Sequence, residues 1–558
     1  MLDLDSYLLP TPHDRATAFH ELMRHRVHDI LVVSSLYDSF LLAQDGQLHE
    51  QMFSEFAELN LQQAPQVTRA SHARRALEIA VADPRINLVI TTPHVGDMDV
   101  LEFGEKLREM YPQLAVVLLA FDHRELKELL KLRESPAFDK VFLWQGDFRI
   151  LLAITKYFED VWNVEHDTRI GDVQVILLIE DSVRFYSSYL PMFYAEVMRH
   201  SQNLISESVN LYHKILRMRA RPKILHCETF EDAWGKYRKY EKYVLGIVSD
   251  IEFPLAGKVH PEAGVKFIEQ VKERRSDIPV LLQSSKPETA ALAEALGIRF
   301  ALKGSPQLLG DLRRFMTESL GFGDFVFRLD DGTELERASD MRELELKLHT
   351  VREESIRYHA ERDHFSNWLK ARTEFELADR LKPRKVSDYP NLEALRRDLI
   401  ESIQSWRHER THGHVADFSH ETFEPSSEFV RIGAGSLGGK ARGLAFASHV
   451  LNHCPLGEKY PTVNISVPPC LVLCTDVFDE FIELNSLREF ALHCDDDKEI
   501  ERRFLRAELA ERIRSDLYAY LKAVRYPLAV RSSSLLEDSQ FHPFAGVYRT
   551  YMLANNNR

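Results

Sequence analysis

The feature that most constrains this chain is a repeated pattern in its first half, where short apolar runs alternate with amphipathic stretches, twice over. The first copy carries Ile30-Leu31-Val32-Val33, then INLVITTPHVGDMDVLEF, LAVVLLAF and KVFLWQGD. The second carries VQVILLIEDS, PKILHCETFEDAW, YVLGIVSDIEFPLAG, IPVLLQSS and IRFALKGS. Short apolar runs of this kind suit strands covered on both faces. Their alternation with helical stretches predicts βα units and parallel sheets.

Five such strands per copy predict two α/β domains of the flavodoxin-like, doubly wound type, each with its site at the carboxyl ends of the strands. The expected boundaries are an N-terminal extension over 1–24, a first sheet domain over 25–160 and a second over 172–317. The helix after Glu180-Asp181 continues through LPMFYAEVMRHSQNLISESVNLYHKILRM, which predicts an extended helix and a surface for a partner. Residues 318–427 read as a helical connector, helical from Met341 to Leu381 and ended by Pro383. Within it His359 and His364 stand five apart, off a shared helical face, which predicts packing or solvated roles. A further domain opens near Phe429 and occupies 428–558.

Composition narrows the partners. A formal charge of -15 over 558 residues argues against a nucleic-acid or anionic-membrane binder, because phosphate surfaces need cations. No apolar run approaches the ~20 residues that cross a bilayer, so no membrane partner is expected. The acidic start MLDLDSYLLPTPHD is unlike a signal peptide, and five cysteines do not suggest a disulfide framework. A cytoplasmic location is therefore expected. Cys470 and Cys474, with His453-Cys454 and His493-Cys494 nearby, fit no compact zinc spacing. The run VPPCLVLCTDVF reads as a buried strand with cysteine as small apolar filler.

The carboxyl edge of the second copy gathers chemistry. Glu180-Asp181 follow its first strand, Asp250 its third, Ser284 its fourth and Lys303 its fifth. Three converging carboxylates repel one another and suit a hard divalent cation, Mg²⁺. With a lysine beside the metal, an aspartate can accept a phosphoryl group, and a serine hydroxyl can bond its oxygens. This set resembles a response-regulator receiver domain. The resemblance implies Asp250 as phosphoacceptor, Glu180, Asp181 and Asp250 as Mg²⁺ ligands, and Ser284 and Lys303 as the switch pair. It also implies a histidine kinase or small phosphodonor as partner. VSDIEFPLAG is similar to the loop that follows the family's phosphoacceptor, with Pro254 and Gly257 in place. Gly304 stands where the family has proline, which puts its cis peptide in doubt. In the first copy Ser34-Ser35 replace the acid pair, Thr92 replaces the acceptor and Trp144-Gln145 replace the lysine region. That copy reads as a degenerate receiver used for contact or dimerisation, with Asp97 and Asp99 merely solvated.

Near the C-terminus two segments pair. IGAGSLGGKARGLAFASHVL leads through Gly433, Gly435, Gly438 and Gly439 to Lys440 and a helix. Glycines allow close backbone approach, a helix N-terminus favours anions, and a lysine reaches phosphate oxygens. The spacing is not that of a P-loop. In YPLAVRSSSLLEDSQFHPFAGVYRTYM, Arg531 offers a planar fork and Ser532 a hydroxyl, while Glu537-Asp538 can orient Arg531 or approach a metal. Together these segments, with ISVPPCLVLCTDVFDEFI between them, resemble the ATP-grasp nucleotide-binding domain of phosphoenolpyruvate synthase and pyruvate, phosphate dikinase. Cys470 stands at the family's usual glycine. The resemblance implies that Lys440 and Arg531 contact ATP phosphates, with Gly438, Gly439 and Ser532 shaping their surroundings. It covers about 428–558 and reads as a partial lobe of a truncated gene, lacking the phosphohistidine and pyruvate-binding domains.

Two functions follow from these resemblances. In one, the chain is the regulatory and ATP-binding part of a dikinase-type phosphotransferase, inactive alone and reaching pyruvate only through missing domains. In the other, it is a non-catalytic phosphorelay regulator that reuses the nucleotide lobe as a binding module.

Overall fold

The computed structural model describes residues 21–38, 65–121, 124–126, 129, 135–206, 216–411, 415–420, 423, 429–453, 462–463, 465–533 and 548–555. These fall into two compact units, one drawn from 15–206 and 215–400, the other from 401 onward.

In the first unit the leading sheet contains β1 (Asp29–Val33), β2 (Gln66–Ala70), β3 (Ile86–Thr91), β4 (Ala115–Ala120) and β5 (Lys140–Leu143). Its order is β2-β1-β3-β4-β5 and every pairing is parallel. β1 and β4 are buried throughout, as strands covered by helices on both faces must be. β2, sequence QVTRA, is an edge strand with only Ala70 buried, which is why no apolar run marks it. Helices α1 (Ala73–Ala82) and α2 (Val100–Met110) flank β3. Asp99 is exposed, as expected of a solvated acid, and also caps α2 by accepting from the Leu101 and Glu102 amides. Then α3 (Arg149–Gly171) crosses to the second sheet.

That sheet contains β6 (Val175–Ile179), β7 (Lys223–Cys227), β8 (Val244–Asp250), β11 (Val280–Ser284) and β12 (Arg299–Leu302), in the order β12-β11-β8-β6-β7. All its pairs are parallel. Read within each copy, both sheets have the strand order 2-1-3-4-5. α4 (Val183–Ser206) follows β6, keeps Pro191 in its interior and leaves 207–215 outside the described residues. α5 (Phe230–Tyr240) follows β7, and α6 (Ala263–Arg274), α7 (Ala290–Ala295) and α8 (Leu308–Glu318) complete the layers. Strand alternation splits the second core. Ile176, Leu178, Ile224, Val248 and Leu281 join one cluster with Val32, Ile90 and Val117 of the first sheet. Leu177, Ile179, Leu225, Ile247 and Leu282 pack oppositely, on Tyr237 and Phe267. The two sheets thus share a continuous apolar core. An ionic cluster lies inside it: Lys223 pairs with Asp167 at 2.9 Å and Arg221 with Asp160 at 2.7 Å, all four buried.

The 318–427 region opens on a hairpin, β13 (Phe325–Arg328) with β14 (Glu334–Ala338), which a purely helical reading misses. Gly332 takes φ +85° in its turn. Helices α9 (Met341–Leu348), α10 (Glu353–Ala360), α11 (His364–Ala371), α12 (Phe375–Leu381) and α13 (Leu392–Thr411) follow. Asp363, at φ +55°, breaks the helix between His359 and His364. That break brings the rings together, Nδ1 to Nδ1 at 2.9 Å, with the Arg328 amide donating to His359 Nε2 at 2.9 Å. Spacing along one helix does not anticipate this contact. It is a packing arrangement within the Phe325, Phe327 and Phe365 cluster.

The second unit pairs β15 (Ala416–Asp417), β16 (Phe429–Ile432) and β17 (Cys470–Leu473) in a parallel sheet. α14 (Gly439–His453) follows β16, and α15 (Thr475–Leu484) follows β17. α16 (Leu487–His493), α17 (Asp497–Arg506) and α18 (Glu511–Ala523) lead to β18 (Leu528–Val530), which pairs antiparallel with β19 (Tyr551–Leu553). β17 is only partly buried, and Cys470 and Cys474 are free thiols. Among the described residues, no helix is long and apolar enough to cross a membrane.

Candidate functional site

The register of the two sheets locates equivalent positions. Val33 pairs with Thr91 in the first sheet and Ile179 with Ser249 in the second. The next residues, Thr92 and Asp250, are therefore counterparts, as are Ser34 and Glu180. At the second position, one carboxylate oxygen from each of Glu180, Asp181 and Asp250 lies within 4.8 Å of the others. Lys303 Nζ reaches Asp250 Oδ2 at 2.5 Å and Glu180 Oε2 at 2.6 Å. The Phe185 ring covers that ammonium, 4.5 Å away. Three carboxylates thus face one ammonium. Burial drives Glu180 and Asp250 above the usual carboxylate range, against the pull of Lys303. An all-oxygen donor set with surplus negative charge fits Mg²⁺, which would relieve that cost.

Supporting residues fix the constellation. Ile251 donates its amide to Asp250 Oδ1 at 2.7 Å, and Gln283 Nε2 donates to Glu180 Oε2 at 2.9 Å. Gln283 is missed by motif reading. Its signal is a buried polar side chain that ends the apolar run of IPVLLQSS, just before the two serines. Ser284 closes β11, is buried, and accepts from the Lys286 amide at 3.0 Å. Among the described residues the peptide bonds are trans, and Gly304 takes φ +83°. The loop after Asp250 differs from the expectation. Gly257 sits in the turn of the hairpin β9 (Phe253–Leu255) with β10 (Lys258–His260), where an added Cβ would meet nothing within 4 Å. The glycine packed on the acceptor is Gly264, whose Cβ would stand 2.2 Å from the Asp250 carbonyl. The hairpin is an excursion between the two, and the packed glycine, Gly264, lies beyond the stretch that motif reading singles out.

Among the described residues the first copy gathers no such cluster. Thr92 Oγ1 donates to Asp38 Oδ2 at 3.0 Å, and both are buried. The acceptor position therefore holds a neutral hydroxyl beside one carboxylate, where the second sheet brings three carboxylates together.

In the second unit the glycine turn and the VRSS segment come together. The Gly439 amide donates to the Ser533 carbonyl at 3.0 Å, and the Ala441 amide donates to Ser533 Oγ at 3.0 Å. Ser533 Oγ in turn donates to the Leu437 carbonyl at 2.8 Å. Gly438 takes φ +79°, and a Cβ there would lie 1.7 Å from the Ser533 carbonyl. Only glycine fits. Lys440 stands in the first turn of α14, and the exposed Arg531 lies two residues before Ser533. Ser533, not Ser532, makes these contacts. Glu537 and Asp538 lie outside the described residues.

The turn's amides hold an unexpected anion. Ala434 and Gly435 donate to the Asp476 carboxylate at 2.8 and 3.0 Å, and Ser436 donates to Thr475 Oγ1 at 3.0 Å. Although burial acts the other way, these amides lower the Asp476 pKa. Gly433 and Gly435 make room for Asp476 and Thr475, with Cβ positions 2.5 and 2.6 Å from their oxygens.

No curated protein matches the chain closely enough to be paired with it. Among solved structures, a putative two-component system response regulator/GGDEF domain protein is 11% identical, with TM-score 0.25 over 52% of this chain and 98% of its own. NtrX from Brucella abortus is 10% identical, with TM-score 0.20 over 66% and 79% respectively. Scores this low carry no weight for fold or function; strand order and register do. Residues 434–558, which hold the glycine turn and Ser533, match the family model described as pyruvate phosphate dikinase, AMP/ATP-binding domain.

Proposed function

We propose that this chain is the regulatory and ATP-binding part of a phosphoenolpyruvate synthase/pyruvate, phosphate dikinase-like phosphotransferase, with Asp250 as an Mg²⁺-dependent phosphoacceptor. The observation that carries the acceptor role is the pocket in which Glu180, Asp181 and Asp250 face Lys303. In the reaction, an Asp250 carboxylate oxygen attacks the phosphorus of an acyl phosphate or phosphohistidine. The phosphorus–donor bond breaks, and the carboxylate or imidazole leaves. Lys303 would offset the charge on the phosphoryl oxygens, and Ser284 would bond one of them. Glu180, Asp181 and Asp250 would hold Mg²⁺, which supplies further charge neutralisation.

The ATP role is supported by the family match over 434–558 and by the contact of Gly438 and Gly439 with Ser533, which draws Lys440 and the strand of Arg531 toward one turn. Lys440 and Arg531 would grip the polyphosphate. A second reading, a regulator whose lobe no longer binds nucleotide, is favoured by Asp476 already holding the turn's amides.

Labelled acetyl phosphate with Mg²⁺ should modify the wild type and spare Asp250→Ala; equal labelling of both removes the acceptor assignment. Lys440→Ala and Arg531→Ala should each weaken ATP binding about tenfold or more, the loss of one charge-assisted phosphate contact. Unchanged binding in both would remove Lys440 and Arg531 from the ATP site, and a wild type that binds no ATP would leave the regulator reading.

A further inference from the structure

We infer that Lys140, which belongs to the first sheet, is a positioning residue for the acidic loop of the second. This rests on the reading of Glu180, Asp181 and Asp250 as a Mg²⁺ site. Lys140 opens the edge strand β5 and is ion-paired with Glu228. Its Nζ also lies 2.7 Å from His226 Nδ1, and 4.9 Å from the centre of the Tyr186 ring. His226, on β7, is buried, and its Nε2 lies 2.7 Å from the Glu180 carbonyl oxygen. A carbonyl only accepts, so Nε2 carries the proton and Nδ1 is left to accept from the ammonium. A single neutral tautomer satisfies both contacts.

The link is reinforced along the same edge. Tyr186 packs on the His226 ring at 4.5 Å and donates its hydroxyl to the Val141 carbonyl. The Leu143 amide donates to Ser187 Oγ at 3.0 Å, and Gln145 Nε2 donates to the Arg184 carbonyl at 2.8 Å. Strand β5 therefore holds the first turns of α4, the helix that directly follows the acid pair. The loop carrying Glu180 and Asp181 is gripped on one side by Lys303 and on the other by the Lys140–His226 link. Partners behind metal ligands orient them, and their removal weakens metal binding by about 10–100-fold. On this view the degenerate copy, which has lost its own acids, supplies the cation that sets the geometry of its neighbour's.

The test uses the full chain and Mg²⁺ titrations followed by calorimetry, with acetyl phosphate labelling of Asp250 as a second readout. Lys140→Met should raise the Mg²⁺ Kd about tenfold. It should slow labelling at low Mg²⁺ and recover the wild-type rate at saturating Mg²⁺, whereas Lys140→Arg should stay near wild type. Lys140→Gln is made alongside it, so that a folded variant without the cation is in hand. A folded Met or Gln variant with wild-type Mg²⁺ affinity overturns the inference, as does a labelling defect that persists at saturation. In the unmodified chain, ¹⁵N–¹H spectra of histidine-labelled protein should show the Nε2–H tautomer of His226; the Nδ1–H form would also overturn it. A wild type that binds no Mg²⁺ at all defeats the underlying site reading instead, and the inference with it.

Discussion

Gly438→Ala is the sharpest perturbation of the C-terminal turn, and its cost can be worked from the backbone. At φ +79° an alanine costs about 1–2 kcal/mol from its left-handed conformation alone. The added methyl would lie 1.7 Å from the Ser533 carbonyl, a backbone atom that cannot swing aside as a side-chain tip would. Relief requires the strand end to retreat, which breaks the bonds from the Gly439 and Ala441 amides to Ser533. Two such bonds contribute about 1 kcal/mol each. The total is about 3–4 kcal/mol, or more than a hundredfold in the opening equilibrium of the turn. Gly443→Ala is the internal control. It makes the same chemical change in the same helix, where nothing lies within 4 Å of a Cβ, and should be neutral or stabilising by about 0.5–1 kcal/mol. Hydrogen exchange followed on peptides spanning 436–445 in the full chain reads both directly. The Gly439 and Ala441 amides should exchange about a hundred times faster in Gly438→Ala and no faster in Gly443→Ala. Equal protection in the two variants would refute the claim that Ser533 is locked to the glycine turn.

Gly264→Ala should destabilise the first unit by several kcal/mol, on the order of an overpacked core, because its methyl meets the Asp250 carbonyl at 2.2 Å; a melting temperature within a degree of wild type would contradict the packing. Asp160→Ala should cost about 3–5 kcal/mol in chemical denaturation, since Arg221, the Ile224 amide and the Tyr194 hydroxyl all lose a buried partner. Acid should loosen the histidine pair: burial holds His359 down to about 2 and His364 to about 4, so both stay neutral in the fold while the unfolded chain binds protons from about pH 6.5 downward. Stability from these rings is complete above pH 6.5 and falls as pH drops toward 4, by up to about 3 kcal/mol for His364; a His364→Gln variant with the same pH slope as wild type would exclude that source.

What the sequence reveals depends on whether a feature is local. The buried strands β1, β4, β6, β8 and β11 announce themselves as apolar runs, and so does the order of acid pair, aspartate, hydroxyl and lysine along them. Edge strand β2 does not, because its side chains meet solvent and need no apolar pattern. Loop excursions mislead in a different way. The β9–β10 hairpin separates Asp250 from Gly264, so a glycine chosen by distance along the chain falls in the hairpin turn instead. Contacts between distant segments leave no trace in either one. Nothing in GGK or RSSS says that the third serine meets the turn, and nothing in KVFL says that Lys140 reaches His226.

Two sheets with one strand order differ in the side chains at their edges, so on the proposed reading charge, not backbone, would separate their behaviour. In the first, Thr92 is already satisfied by Asp38, and Ser34 brings no charge. Among the described residues that edge brings one carboxylate, Asp38, to the acceptor position, where a hydroxyl stands in place of an aspartate. In the second, Glu180 and Asp250 are both buried, Asp181 stands beside them, and Lys303 is the ammonium bonded to the first two. Burial makes that imbalance costly, and a divalent ion or an incoming phosphoryl group with its metal is the change that lowers the cost. On the proposed reading, the surplus of carboxylate over ammonium is what would make Asp250 responsive. On the same reading Lys140, placed behind the loop without neutralising it, would tune the site and leave its charge intact.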